Sequence, residues 1–322
     1  MSNWESFKLS YKNLINHAKN GSDNDILKSW IEFLTISNDL SQNPPLIFKT
    51  LQKTLITFAK KNYNIKIFDH GCGSGRMIFY FYAIGFKNVY GVNVNDDVEH
   101  LNKILSIVEN RKIKSFFKTS GSNLPFKDNF FDVIISCQVL EHIPNNLIDT
   151  YYYEQSRCLK NAGLLYNEVP HRLNPYDSHT RTWFVHWLPN IIKVFLFKKF
   201  SNFFFKKIPI QIRSDHVKKI CDGSFLILRT PSFHYKKLNF YNFKLKNITQ
   251  LRLLSDFNDF SYDSDSNLGL RVFLDKMFKL KFIGKFFLLL SSNFFMITTV
   301  SLLQKKAEKP VNVNKFVENI YD

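Results

Sequence analysis

Three glycines at alternate positions, Gly71, Gly73 and Gly75, follow the apolar pair Ile67-Phe68 and the carboxylate Asp69. A strand running into such a turn, with a helix beyond it, lets a ligand approach the main chain closely and aims free N–H groups at an anion. Asp69, two residues before the first glycine, adds a carboxylate that can hold an ammonium or an ordered water. A ligand with both a carboxylate and an ammonium is a methionine-like amino acid. The rival is a dinucleotide turn, Gly-x-Gly-x-x-Gly, but the place of its third glycine is taken by Arg76.

A second group of chemically able residues lies downstream. Glu168, His171, Tyr176, Asp177, His179, Trp183, His186 and Trp187 crowd potential acids and bases among aromatic rings. A histidine that stays neutral near pH 7 is a natural proton acceptor, although any one of these can equally be a structural hydrogen-bonding side chain. Cys72, Cys137, Cys158 and Cys221 form no Cys-x-x-Cys pair and no disulfide framework, so a reducing cytoplasm and no cysteine-based metal site are expected.

The elements needed to hold these residues are those of an α/β fold. Residues 1–60 carry apolar side chains at helical spacing, as in Ile26, Leu27, Trp30, Ile31, Phe33 and Leu34, broken at Asn43-Pro44-Pro45. From Ile65 the pattern changes to short apolar runs alternating with helical stretches. Strands are expected at 66–68, 88–92, 115–117, 132–136 and 164–169, with helices over 76–84, 98–110 and 147–159 between them. Phe286 to Gln304 is uncharged and nearly long enough to span a membrane, but its Ser, Asn, Thr and Gln residues favour a short helix and a strand over 295–303. Asp263 to Gly269 is the clearest loop of the second half.

Charge is unevenly spread. Of 322 residues, 44 are Lys or Arg and 27 Asp or Glu, a net charge of +17, and 34 are Phe. Residues 1–170 hold 19 basic and 16 acidic side chains, whereas 171–322 hold 25 and 11. A codon bias would act on both halves alike, so the excess has a positional cause as well. It is densest in 193–219, where paired lysines interleave with Phe and Leu. Such a segment suits an anionic membrane face, single-stranded nucleic acid, or a solvated helix over an aromatic core. The membrane face ranks first, and nucleic acid falls well behind. The first residues lack the basic start and apolar run of a secretory signal.

The Ile67 to Arg76 segment resembles motif I of the class I S-adenosylmethionine-dependent methyltransferases. Asn123-Leu-Pro-Phe through Phe131-Asp-Val to Leu140-Glu-His-Ile-Pro144 resembles a second block of that family, and Ser156-Arg-Cys-Leu-Lys-Asn-Ala-Gly163 a third, with Asn161-Ala162 in place of Pro-Gly. The resemblance implies a Rossmann-like methyltransferase sheet that binds S-adenosyl-L-methionine. Asp69, Gly71, Cys72, Gly73 and Gly75 would cradle its methionine part. Asn93 stands at the usually acidic ribose position, Ser120 at the position that usually offers a carboxylate to the adenine, and Cys137 and Gln138 would line the cofactor. Asp96 or Asp97 would compensate for Asn93. Gln138 also stands where metal-dependent relatives carry the first Glu of Glu-x-x-Glu-His, so Glu141, His142 and His171 are not expected to hold a metal.

The segment from Glu168 to Pro189 resembles that of methyltransferases associated with bacterial polysaccharide and glycolipid synthesis. This implies methylation of a hydroxyl on a saccharide or lipid-linked glycan, with His179 as base, Asp177 orienting it and His142 as second candidate. A hydrophobic small molecule such as a quinone precursor is the alternative acceptor, and an inactive binding protein the alternative role. The expected organisation is a helical cap over 1–60, the cofactor-binding core over 61–170, an acceptor- or membrane-facing basic aromatic insertion over 171–290, and a return to the sheet with a tail over 291–322. The whole would act in the cytoplasm, peripheral on the inner membrane face.

Overall fold

A computed structural model describes residues 3–44, 46–95, 98–119, 123–177, 182–200, 203, 226–255, 297–305 and 310–321. Two long helices, α1 (Asn3–Asn20) and α2 (Asp23–Gln42), open the chain as an antiparallel pair. Ser22 separates them: its side chain accepts from the Asp25 N–H, and the Asp25 carboxylate accepts from the Ser22 N–H, which satisfies two donors at the start of α2. Helix α3 (Leu46–Ala59) follows.

The α/β part then alternates β1 (Lys66–His70), α4 (Arg76–Ala83), β2 (Asn88–Asn93), α5 (Val98–Val108), β3 (Phe116–Lys118), β4 (Phe131–Cys137), α6 (Ile148–Cys158) and β5 (Leu159–Val169). A small ribbon of β6 (Tyr176–Asp177) and β7 (Thr182–Trp183) follows, then α7 (Asn190–Lys199), α8 (Pro231–Phe240), β8 (Phe243–Asn247), α9 (Thr249–Ser255), β9 (Ile297–Leu303) and α10 (Val313–Tyr321). The main sheet has seven strands in the order β3-β2-β1-β4-β5-β9-β8. Neighbours from β3 to β5 are parallel, and β9 runs antiparallel to both β5 and β8. The order reverses between β1 and β4, and the crevice beyond their carboxyl ends is where such sheets bind ligands.

Alternation along each strand divides the interior into two layers. Ile67, Val133, Ile135, Leu164 and Val300 face α1–α5 and α10. Phe68, Ile134, Leu165 and Leu303 face α6 and α8. Both faces are covered, so the strands read as continuous apolar runs. Helix α4 is buried from Ile78 to Ala83 because the cap lies over it. Much of the aromatic excess sits there: Phe7 packs on Phe33 with ring centres 5.3 Å apart, and Phe48 stacks on Tyr80 at 4.7 Å. Phenylalanine in the first half is therefore core material.

Two boundaries differ from expectation, and the expected strand near 295–303 is present. Strand β5 begins at Leu159 because the Lys160 to Gly163 segment stays in the strand as an irregularity, with Ala162 at φ 57° and the register with β4 shifting between Phe131 and Val133. The sheet also reaches into 171–290, since β8 forms its edge there. Residues 297–303 are a wholly buried strand paired to β5, which rules out a membrane span over 286–304. Among the described residues no helix is long and apolar enough to cross a membrane. The Asp263–Gly269 loop lies outside the described residues.

Candidate active site

The glycine turn leaves β1 at the point where the strand order reverses. Gly71 and Gly75 have φ of 104° and 82°, which side chains rarely adopt. A Cβ at Gly71 would meet Val139 Cγ2 at 2.5 Å, and one at Gly75 would meet Leu101 Cδ2 at 2.8 Å. A Cβ at Gly73 would meet nothing within 4 Å, so that glycine borders open space. The turn is pinned from several sides. The N–H groups of Gly71 and Cys72 both donate to the Val92 carbonyl at 3.1 and 2.9 Å, the Gly75 N–H donates to Cys72 at 2.8 Å, and the Tyr11 hydroxyl of α1 donates to the Ser74 carbonyl.

Asp69 is buried at the end of β1, and burial alone pushes its carboxyl up to about 7. No charge or hydrogen bond among the described residues offsets that cost, so a cation arriving beside it would restore the carboxylate. A buried carboxyl and, four residues on, a glycine that borders open space fit an amino-acid group whose ammonium meets Asp69.

Asn93 ends β2. Its amide donates to the Gly73 carbonyl at 3.0 Å and its Oδ1 accepts from the Val94 N–H at 2.9 Å. The amide therefore braces the glycine turn, while the oxygen closes a local contact at the end of β2. A carboxylate here could not donate to Gly73, which gives a local reason for asparagine at this position. Ser120, Asp96 and Asp97 lie outside the described residues.

Cys137 closes β4. Burial, and then the negative charges of Glu168 and Asp69, hold its thiol well above the ordinary value, so it stays protonated. Gln138 follows in the left-handed region at φ 57°, with its N–H donating to the Glu168 carbonyl at 2.8 Å and its side chain exposed. Strain of this kind gathers at ligand sites. Glu168, at the end of β5, pairs with Arg252 of α9 at 2.6 Å, and Arg252 also donates to Thr298 at 2.7 Å. Arg252 was invisible in the sequence, since an arginine more than eighty residues from its partner leaves no local pattern.

Glu141 and His142 form a single turn after β4. Glu141 is buried, while the His142 ring is partly exposed with Nε2 3.9 Å from the Glu141 carboxylate. Arg229 clasps that turn, donating to the Leu140 and Ile143 carbonyls at 2.7 and 2.6 Å and to Asn145 at 2.9 Å. His171 is buried, and its Nδ1 accepts from the Leu173 N–H at 3.2 Å, which leaves Nε2 to carry the proton in the neutral ring. Asp177 is buried in β6. Its charge favours protonation of His186, but burial outweighs it and His186 sits below its ordinary value. His179 lies outside the described residues. Among the described residues no three His, Cys, Asp or Glu side chains gather to hold a metal ion.

The structure thus gathers Asp69, Cys137, Glu168 and Arg252 close enough to influence one another at the carboxyl edge of the sheet, while Asp177 and His186 form a separate pair.

Residues 68–167 match the sequence model of a family described as "Methyltransferase domain". A sterol 24-C-methyltransferase of Pneumocystis carinii is 31% identical over 114 residues, which is 35% of this chain and 30% of that protein. An uncharacterized protein of Methanocaldococcus jannaschii is 32% identical over 121 residues, 37% of this chain and 47% of the other. The chain spans less than half the length of these curated relatives. Among solved structures, an S-adenosylmethionine-dependent methyltransferase from Mesorhizobium loti aligns over 80% of this chain and 100% of its own, with 12% identity and a TM-score of 0.45. The matched segment runs from β1 to β5 and contains the glycine turn, the buried Asp69 and the strand order that creates the crevice. Residues 68–167 are thus a methyltransferase domain within a longer chain.

Proposed function

We propose that the protein binds S-adenosylmethionine at the glycine turn and methylates a hydroxyl of a saccharide or lipid-linked glycan at a membrane face. The observation that carries the cofactor half is the buried Asp69 carboxyl, with no partner among the described residues offsetting its burial, at the start of the glycine turn. When bound there, the cofactor supplies an electrophilic methyl group. The chain must hold it, exclude water and take the proton from the acceptor hydroxyl. His179 is the proposed base, oriented by Asp177, with His142 the second candidate. What supports this side is the crowd of acid, base and aromatic residues that follows β5 directly, where the sheet's carboxyl edge faces ligands.

One observation favours a second reading, in which the fold binds a partner without turning over. Asn93 is uncharged, and its two side-chain groups already bond the Gly73 carbonyl and the Val94 N–H, so a ribose would lack the usual charged contact. Titration calorimetry with S-adenosylhomocysteine, joined to transfer of a tritiated methyl group into a lipid-linked saccharide extract, separates the two. Micromolar binding and an extractable label that survives alkali, as a methyl ether does, are expected. Alkali-labile label would point to a carboxylate acceptor, and absence of both binding and label would leave the second reading standing.

A further inference from the structure

Helix α7 turns the wrong face to water. At about 100° per residue, Ile191, Ile192, Phe195, Lys198 and Lys199 share roughly a third of its circumference, while Phe197 points the opposite way. Phe197 is buried, whereas Ile191 is 86% exposed and Phe195 55%. The exposed stripe is therefore apolar along its length and basic at its carboxyl end. Just before it, the Val185–Trp187 turn adds more rings. Phe184 holds φ 61°, an unusual backbone for a phenylalanine, and keeps its ring half exposed, 5.1 Å from that of Trp187. The Trp187 indole N–H donates to the Arg172 carbonyl at 2.5 Å, which satisfies its polar edge and leaves the rest of the ring outward. Lys199 lies over the Phe195 and Phe200 rings at 5.3 and 5.7 Å.

We infer that this surface, made of the Phe184–Trp187 turn and the outer stripe of α7, docks onto an anionic lipid bilayer. Charge complementarity selects that occupant. The stripe ends in two lysines within a half-chain that carries a large basic excess, so a second copy of the same basic face would be repelled. Rings and aliphatic side chains that enter the headgroup boundary beside lysines are the features of an interfacial helix, and indoles prefer that depth. The expected membrane contact over 193–219 thereby extends upstream. Its described part is 193–200 with residue 203, and the apolar contacts begin before it, at Phe184. The inference deepens the membrane-face part of the proposed function and rests on it, while methyl transfer stands separately.

The test is sedimentation of the full chain with vesicles of phosphatidylcholine containing phosphatidylglycerol, beside vesicles of phosphatidylcholine alone. Binding to the first and not the second, weakening with salt, is expected. Lys198→Gln with Lys199→Gln should lower affinity about fivefold per lysine, and Ile191→Ser with Phe195→Ser should lower it at least as far. S-adenosylhomocysteine affinity should stay unchanged in both, which shows that they fold. Quenching of the wild-type tryptophan emission by lipids brominated in the acyl chain, reduced in Trp187→Phe, gives a second readout without altering α7. If the wild type binds no vesicle, the membrane-face reading itself fails. If it binds and both double variants bind equally well, this surface is the wrong one. A wild-type dimer dissolved by Phe195→Ser, or binding to single-stranded RNA in preference to vesicles, would also overturn the inference.

Discussion

Asp69 links the physics of burial to the chemistry of the site. Its folded carboxyl titrates near 7, above its ordinary value of 3.8, because burial disfavours the charge. The unfolded chain therefore loses this proton first. The contribution of Asp69 to stability is present below about pH 4 and is lost as the pH rises through 7. Asp69→Asn should accordingly raise the thermal midpoint of the ligand-free protein at pH 8 and leave it nearly unchanged at pH 4. A midpoint shift of equal size at both values would contradict this. An ammonium arriving beside the carboxyl needs it ionised, so binding S-adenosylhomocysteine at pH 6 should release close to one proton. That release shows as a buffer-dependent enthalpy in calorimetry, vanishing at pH 8 and in Asp69→Asn. The same variant should bind about ten- to a hundredfold more weakly, the worth of a hydrogen bond between charged groups. The glycines and Asp69 were legible because their spacing is local. The bracing role of Asn93 was not, since its partner Gly73 lies twenty residues away.

Among the elements, the Glu168–Arg252 pair joins the end of β5 to α9 and, through Thr298, to β9. Glu168 and Arg252 are both almost wholly buried there. Arg252→Met leaves a carboxylate without its cation and should cost about 3–5 kcal/mol in urea unfolding, whereas Arg252→Met with Glu168→Gln should recover most of that loss. A double variant as unstable as the single one would mean that α9 is held by packing alone. Element by element, β1, β2 and β4 stood out in the sequence because strands covered on both faces read as unbroken apolar runs. Strand β8 did not: its alternating Lys244 and Lys246 look like part of a basic surface, and its place at the sheet's edge explains why they can point outward. The start of β5 was hidden by Asn161-Ala162-Gly163, which reads as a turn yet lies inside the strand, between Leu159 and Leu164 that pair with β4.

Across the whole molecule, the first 170 residues contain the methyltransferase domain but do not close the sheet. Strand β9 pairs with β5 at six successive positions, from Leu164–Leu302 to Val169–Ile297, although the two are separated by the entire basic region. A chain ending at residue 230 would expose β5 as an unsheltered apolar edge. Such a truncation should aggregate on expression, and a soluble monomer showing a cooperative thermal transition would refute that. Among the described residues of the second half, lysines stand on the outer stripe of α7 and on the edge strand β8. Net charge is thus a property of the second half of the chain, while most aromatic rings of the first half lie in the core.

The order of strands and helices, the glycine turn with its carboxylate and the unequal charge of the two halves were all determined by the sequence alone, because each depends on residues near one another along the chain. Which side chains meet at the sheet's edge was decided only by the tertiary structure. Arg252 against Glu168, Asn93 against Gly73, Arg229 around the Glu141 turn and an apolar stripe of α7 facing water all depend on contacts between distant segments. Local pattern carries no record of such contacts, and folding creates them when apolar faces are buried together.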